Sequence, residues 1–147
     1  MAQMEKIVKN FVYEGLGFPV ILENALFHKV RNEWLPKVDI EGLAEMAFRM
    51  LPSKPSKLTG NEIKFIRTFL GKSKPAFAEI FKLSHTAVTK WEKSGDGVAP
   101  ISPSQEVVLR LYLEDYLNVG VREFYKTYKQ IENSVFSEDE APMKIAL

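Results

Sequence analysis

The sequence contains no cysteine among its 147 residues. Disulfide bonds, thiol nucleophiles and zinc sites built from cysteine are therefore excluded, and the composition suits a reducing cytoplasm. The chain also lacks an apolar run of about 18 residues, the length that a membrane-spanning helix requires. Its first residues, MAQMEKIVKNF, are too polar for a secretory signal. We therefore expect a cytoplasmic protein that does not cross a membrane.

Residue patterns typical of catalysis are missing as well. There is no nucleophile elbow, no glycine-rich phosphate loop and no His-Glu-x-x-His motif. The acidic residues Glu114 and Asp115, and likewise Glu138 and Asp139, are neighbours in the sequence and cannot face each other across a cleft. With two histidines and no cysteine, a metal site is not expected. We predict a protein that is not an enzyme and needs neither cofactor nor metal.

The positive charge of the chain is concentrated in one segment. The whole chain has a formal net charge of +1, whereas residues 53–94 contain nine Lys and Arg against three Glu, a net charge of +6. The remainder of the chain therefore carries about −5. A basic module inside a nearly neutral protein is typical of local binding to nucleic-acid phosphates.

The basic segment contains the start and stop signals of three short helices. Thr59 followed by Glu62 predicts a capping box at the start of the first helix, and Gly71 predicts its end. Ser73 and Ser84 are predicted to cap the second and third helices. Their apolar positions recur at helical spacing: Ile63, Ile66, Phe69, Leu70, Phe77, Ala78, Ile80, Phe81, Val88 and Trp91. Two short helices joined by so short a turn form a helix-turn-helix.

In a helix-turn-helix the second helix enters the DNA major groove by its N-terminal end. The predicted base-contacting residues on its outward face are His85, Thr86, Thr89 and Lys90. The predicted phosphate-contacting residues are Lys72, Ser73, Lys74, Ser84 and Lys93. Two alternatives stay open: Lys90 could bind guanine or a phosphate, and the two serines could act only as helix caps. The spacing of Trp91 from Val88 indicates a core residue rather than a stacking residue.

This segment resembles the Xre-type, lambda-repressor-like helix-turn-helix family. The matching positions are Ile63, Arg67, Ser73, Phe77, Ala78, Leu83, Ser84, Val88, Lys90, Trp91, Glu92 and Lys93. The resemblance implies a lambda-repressor-like bundle and a homodimer that binds an inverted repeat in double-stranded DNA. Lys74 stands where the family usually has Gln, and Lys82 where it often has Gly, so Lys82 would be strained if its φ is positive.

The N-terminal part predicts a small antiparallel β element. Phe11–Tyr13, Phe18–Leu22 and Leu26–Val30 are short β-type runs, with a hairpin turn predicted at Glu23–Asn24. Asp39 is predicted to cap a helix whose apolar stripe is Ile40, Leu43, Met46, Ala47, Met50 and Leu51. The predicted fold class is therefore mainly α with a small N-terminal antiparallel β element.

Pro52–Lys57 contains two prolines and predicts a boundary. The predicted parts are 1–52, a helix-turn-helix domain at 53–134, and a mobile tail at 135–147. Alternatively, Met143–Leu147 adds to a sheet edge or docks on a partner. A helix from Ser104 to about Asn118 is apolar nearly all round, and another is predicted over 121–133. The residues predicted to form a dimer interface are Val108, Leu109, Tyr112, Leu113 and Tyr116.

A small β-containing part followed by a lambda-repressor-like helix-turn-helix resembles the MqsA/HigA-like antitoxins. The resemblance implies a protein that represses its own operon and neutralises a RelE/HigB-type ribonuclease toxin. The zinc-binding cysteines of the MqsA-like proteins are absent, so a zinc site does not carry over. Two alternatives remain: a plain dimeric Xre-type repressor without a toxin, and a protein- or RNA-interaction module.

Overall fold

The computed structural model of the chain describes residues 4–118, 126, 129 and 142–146. This part of the chain is an α+β fold. Its strands are β1 (Glu5–Tyr13), β2 (Val20–Val30), β3 (Glu33–Pro36) and β4 (Met143–Ile145). Its α-helices are α1 (Ile40–Met50), α2 (Gly60–Phe69), α3 (Lys74–Glu79), α4 (His85–Lys93) and α5 (Pro103–Tyr116).

The four strands form one mixed sheet. β1 pairs with β2 in antiparallel register, from Glu5 opposite His28 to Tyr13 opposite Val20. On the other edge of β2, β3 pairs antiparallel near one end and β4 pairs parallel near the other, with Val20 opposite Met143. The predicted fold class, a mainly α lambda-repressor-like bundle with a small antiparallel β element, is therefore wrong.

Sequence patterns underestimate the extent of the sheet for two physical reasons. The first half of β1 is an exposed edge strand that carries Glu5, Lys6 and Lys9, so its sequence lacks the alternation of a half-buried strand. The parallel pairing of β4 joins residues that are far apart in the sequence, and no local pattern reports such a pairing.

The predicted hairpin turn at Glu23–Asn24 is also wrong, because β2 runs through it without a break. The β1–β2 ladder skips one pair there, at Asn10, which adopts a φ of 53°. Along β2, the buried residues therefore shift from even-numbered positions, Val20 and Leu22, to odd-numbered positions, Ala25 and Phe27. The β2–β3 turn lies instead at Arg31–Asn32, where both residues have positive φ, as a tight hairpin turn requires.

The chain divides into two compact units. Unit 1 comprises Met1–Ala47 together with Pro142–Leu147, and unit 2 comprises Phe48–Ala141. Residues 143–145 of the tail, predicted to be either mobile or added to a sheet edge, form β4. Of the helix predicted over 121–133, only Lys126 and Lys129 are described, and both are helical; the rest lies outside the described residues.

Helix boundaries agree well with the sequence signals. Thr59 and Glu62 form the predicted capping box at the start of α2. The Oδ1 of Asp39 accepts a hydrogen bond of 3.1 Å from the backbone of Gly42 at the start of α1. α5 begins one residue earlier than predicted, because Ser102 and Gln105 form a capping box that was not predicted from the sequence.

Unit 2 has an apolar core to which α2, α3, α4 and α5 each contribute buried side chains. The fully buried apolar residues are Leu51, Leu58, Ile63, Ile66, Phe77, Ala78, Val88, Leu109 and Leu113. Phe48 stacks on Phe69 with 4.1 Å between the ring centroids. This core fixes the position of the helix-turn-helix and leaves one of its faces exposed.

Candidate nucleic-acid interface

α3 and α4 form the predicted pair of short helices, joined by the residues that follow Glu79. Ser73 caps α3 through its hydroxyl, which accepts a hydrogen bond of 3.3 Å from the amide of Ala76. Ser84 occupies the N-cap position of α4, but its side chain makes no capping hydrogen bond. Lys82 lies in the turn with a φ of 56°, so the condition under which this non-glycine residue is strained is met.

α4 has one buried face and one exposed face. Val88 is fully buried and Trp91 is 3% exposed, and the ring of Trp91 meets Phe81 edge-on at 5.1 Å. The prediction that Trp91 is a core residue is confirmed. The four residues predicted to contact bases are all exposed: His85, Thr86, Thr89 and Lys90. They share the surface that faces away from the core.

The predicted phosphate-contacting residues surround this face. Ser73, Ser84 and Lys93 are exposed, and Lys72 and Lys74 are half-buried. Nζ of Lys74 lies 3.4 Å from Oγ1 of Thr89, which itself donates a 3.1 Å hydrogen bond to the carbonyl of His85. The start of α3 therefore lies beside the outward face of α4.

Arg67 of α2 fixes the position of α4. Its Nε donates to Oε2 of Glu92 at 2.7 Å, and its Nη2 donates to Oε1 at 3.0 Å. Its Nη1 donates to the carbonyl of Lys72 at 3.1 Å. The hydrogen bond to Glu92 raises the pKa of Arg67, so the guanidinium keeps its positive charge. A two-pronged, charge-assisted contact of this kind sets the orientation of α4 as well as its distance from α2.

The pairing of acidic residues shapes the local charge. All three Glu in residues 53–94 pair with a Lys or Arg of the same segment. These pairs are Glu62 with Lys54, Glu92 with Arg67, and Glu79 with Lys82. The net charge of +6 therefore belongs to the other basic residues, which are Lys57, Lys64, Lys72, Lys74, Lys90 and Lys93. Four of these, Lys72, Lys74, Lys90 and Lys93, lie at or beside α4.

A buried arginine holds the segment that leads into the helix-turn-helix. Arg110 of α5 is fully buried and donates to the carbonyls of Pro52, Lys54 and Ser56. Glu106, one turn earlier, accepts a 2.8 Å hydrogen bond from the amide of Leu58. Burial lowers the pKa of Arg110, while the nearby Glu106 carboxylate opposes that shift. The proline-containing segment is therefore anchored to α5.

Glu106 and Arg110 were not predicted from the sequence to have a role. The signal that could have found them is the spacing of four residues between opposite charges on an otherwise apolar helix, which places both on one face. The resemblance to the Xre-type family includes Arg67 and Glu92 but gives them no role. The structure gives them one, as the contact between α2 and α4.

The residues predicted to form a dimer interface fall into two groups. Val108 and Tyr116 are 43% and 54% exposed, and Tyr112 is half-buried. Leu109 and Leu113 are fully buried within the chain itself. A second copy could therefore contact α5 through the first group without disturbing the core.

Comparison of the chain with protein-family models, with curated proteins and with solved structures found no significant match. Within residues 4–118, 126, 129 and 142–146, no group of three or more His, Asp or Glu side chains is placed to hold a metal ion. No helix in that part of the chain is both long enough and apolar enough to cross a bilayer.

Proposed function

We propose that the chain is a sequence-specific DNA-binding transcription regulator in which α4 enters the major groove. The observation that supports this most directly is the division of α4. Val88 and Trp91 anchor the helix in the core, while the outward side presents hydrogen-bonding groups to solvent. A helix held this firmly can place side chains against base edges in a fixed register.

Each exposed residue of α4 has a distinct part in this proposal. Lys90 would donate to O6 and N7 of guanine, and Thr86 would offer its hydroxyl to a base edge. The hydroxyl of Thr89 already donates to the carbonyl of His85, so its methyl group is the better placed to contact a thymine methyl. His85, at the first turn, would contact a base edge or the adjoining phosphate.

The basic residues around α4 would position the protein on DNA without reading sequence. Lys72, Lys74 and Lys93 would contact phosphates, and Ser73 and Ser84 lie at the starts of the two helices. Each neutralised phosphate releases counterions, so affinity should fall steeply as salt is raised. A dimer would place two α4 helices about 34–36 Å apart on an inverted repeat.

A narrower proposal concerns the biological setting. The regulator would be the antitoxin of a two-gene module, repressing its own promoter and binding a RelE/HigB-like toxin. Its support is the resemblance of the order of elements to such antitoxins. Coexpression with the product of the adjacent open reading frame tests it: a stable complex supports the antitoxin, whereas promoter binding without a complex leaves a plain dimeric repressor.

DNA binding is tested by selecting bound sequences from a random duplex library. The affinity for the most enriched sequence is then measured by fluorescence anisotropy. Thr86→Ala and Lys90→Ala should each weaken binding by about 1–3 kcal/mol. Lys29→Ala, a change at an exposed position of β2 in unit 1, is the matched control and should leave affinity unchanged. Equal affinity for the selected and a shuffled duplex would instead favour a protein- or RNA-interaction module.

A further inference from the structure

β1 is an edge strand whose outer side has no strand partner among residues 4–118, 126, 129 and 142–146. It is nine residues long and contains no proline. Ile7 is 63% exposed and Val12 is 51% exposed. Proteins usually protect such an edge, because its unpaired amide and carbonyl groups can pair with another strand.

The register of β1 shows which residues face outward. The amide of Lys29 donates to the carbonyl of Met4 at 3.1 Å, so Met4 bonds to β2. In an antiparallel ladder, the backbone amide and carbonyl groups of one residue bond the neighbouring strand, and those of the next residue point to the opposite side of the strand. The backbone groups of Glu5, Ile7 and Lys9 therefore point away from β2 and are available to a new strand.

These three outward residues form a pattern that complements itself. If a second β1 runs antiparallel with the two Ile7 residues opposite each other, Glu5 of each copy lies opposite Lys9 of the other copy. Two pairs of opposite charge then flank one apolar pair, and every residue in these pairs presents outward backbone groups. Registers centred on Lys9 or on Glu5 would instead place like charges opposite each other, which is destabilising.

Two further features suit this register. Ile7 also lines an apolar groove together with Leu26, Leu43 and Met46, so an isoleucine placed opposite it would add to existing apolar surface. Glu5 has an ion pair with Lys37 at 3.8 Å, but both side chains are about half exposed. An exposed pair of this kind contributes little and leaves Glu5 free to face a second cation.

We propose that two copies of this chain associate through the outer edges of their β1 strands, in the register centred on Ile7. The two sheets then become one continuous sheet that passes through the dimer axis. Asn10, with its φ of 53°, limits the regular pairing to the first half of the strand. The proposal concerns unit 1 and does not depend on whether unit 2 binds DNA.

Charge reversal tests the register directly. Lys9→Glu places two carboxylates opposite each other at both ends of the paired segment, and Glu5→Lys places two cations opposite each other in the same way. Each single variant should weaken dimerisation by about tenfold or more, since two favourable pairs become repulsive. The double variant E5K/K9E restores both pairs and should regain the dimer. A mixture of the two single variants should form a heterodimer, because each supplies the charges that the other lacks.

The measurement is sedimentation velocity of the full chain over a concentration series, without DNA. Lys144→Glu, an exposed charge reversal on β4 of the same unit, is the matched control and should leave the dimer intact. Ile7→Pro removes an outward amide but no hydrogen bond to β2, and it should also abolish the dimer while circular dichroism stays unchanged.

The proposal is overturned if the protein is a monomer throughout the series. It is also overturned if the dimer persists in both single variants, which would place the interface elsewhere, for example at Val108 and Tyr116 of α5. Strong DNA binding by a charge-reversed monomer would leave the proposed function intact while showing that the β1 pairing does not serve it.

Discussion

Gly60 at the start of α2 lies directly against the backbone carbonyl of Trp91 near the end of α4. A Cβ atom at position 60 would meet that carbonyl oxygen, and it would lie 2.9 Å from the carbonyl oxygen of Glu92. The amide of Gly60 also donates to the carbonyl of Gly97 at 3.2 Å. The two helices can approach this closely only because position 60 has no side chain.

Gly60→Ala should therefore destabilise the protein, although the same change in an open helix position is stabilising. We expect a loss of about 1–3 kcal/mol in the free energy of unfolding, because backbone must move to relieve the contact. Urea unfolding followed by circular dichroism measures it. Lys64→Ala, at an exposed position of the same helix, should change stability by less than about 0.5 kcal/mol. A Gly60→Ala protein as stable as the parent would show that the contact relaxes freely.

Arg67→Lys keeps the charge but removes the two-pronged contact with Glu92 and the bond to the carbonyl of Lys72. We expect a loss of about 1–2 kcal/mol in stability. If α4 binds DNA, affinity should fall as well, since Arg67 fixes the position of that helix. Glu79→Gln removes an ion pair whose side chains are 82% and 71% exposed, and it should cost less than about 0.5 kcal/mol. Equal losses for the two variants would contradict a special role for Arg67.

Arg110→Met should be the most damaging of these changes. It leaves three carbonyl groups and the Glu106 carboxylate in the interior without the guanidinium that bonds them. Breaking a buried pair in this way costs about 3–5 kcal/mol. Thermal and urea unfolding measure the loss. Asp115→Ala, at an exposed position of α5, serves as the control, and a loss below about 1 kcal/mol for Arg110→Met would contradict the prediction.

Lys82→Gly should stabilise the protein. The φ of 56° at Lys82 is unfavourable for a residue with a Cβ and costs glycine nothing. The greater freedom of glycine in the unfolded chain offsets part of that gain, so we expect about 0.5–1 kcal/mol. The midpoint of urea unfolding should rise at an unchanged slope. A fall in the midpoint would mean that the exposed contact of Lys82 with Glu79 contributes more than its geometry indicates.

The helices of unit 2 could be predicted from the sequence because their signals are local. Thr59, Glu62 and Ser73 lie within one turn of the amides that they cap, and the spacing of Val88 and Trp91 identifies the buried side of α4. The sheet could not be predicted in the same way. The pairing of Val20–Leu22 with Met143–Ile145 connects distant parts of the chain. In addition, the alternation of buried residues in β2 shifts by one position opposite Asn10, so the sequence of β2 reads as two shorter strands.

The candidate site shows the same difference. The exposure of His85, Thr86, Thr89 and Lys90 follows from helical periodicity, so each was placed correctly on the outward side of α4. The burial of Leu109 and Leu113 could not be separated from the exposure of Val108 and Tyr116, because α5 is apolar on several sides. Which of those sides meets the core depends on Arg110 and the distant segment that it bonds.

The position of β4 has a consequence for the order in which the protein is completed during synthesis. β1, β2 and β3 leave the ribosome first, but the parallel partner of Val20–Leu22 is translated only after α1 to α5 have emerged. The helices of unit 2, whose contacts join nearby residues, can fold while that partner is still being made. β4 then joins the sheet that β1, β2 and β3 began.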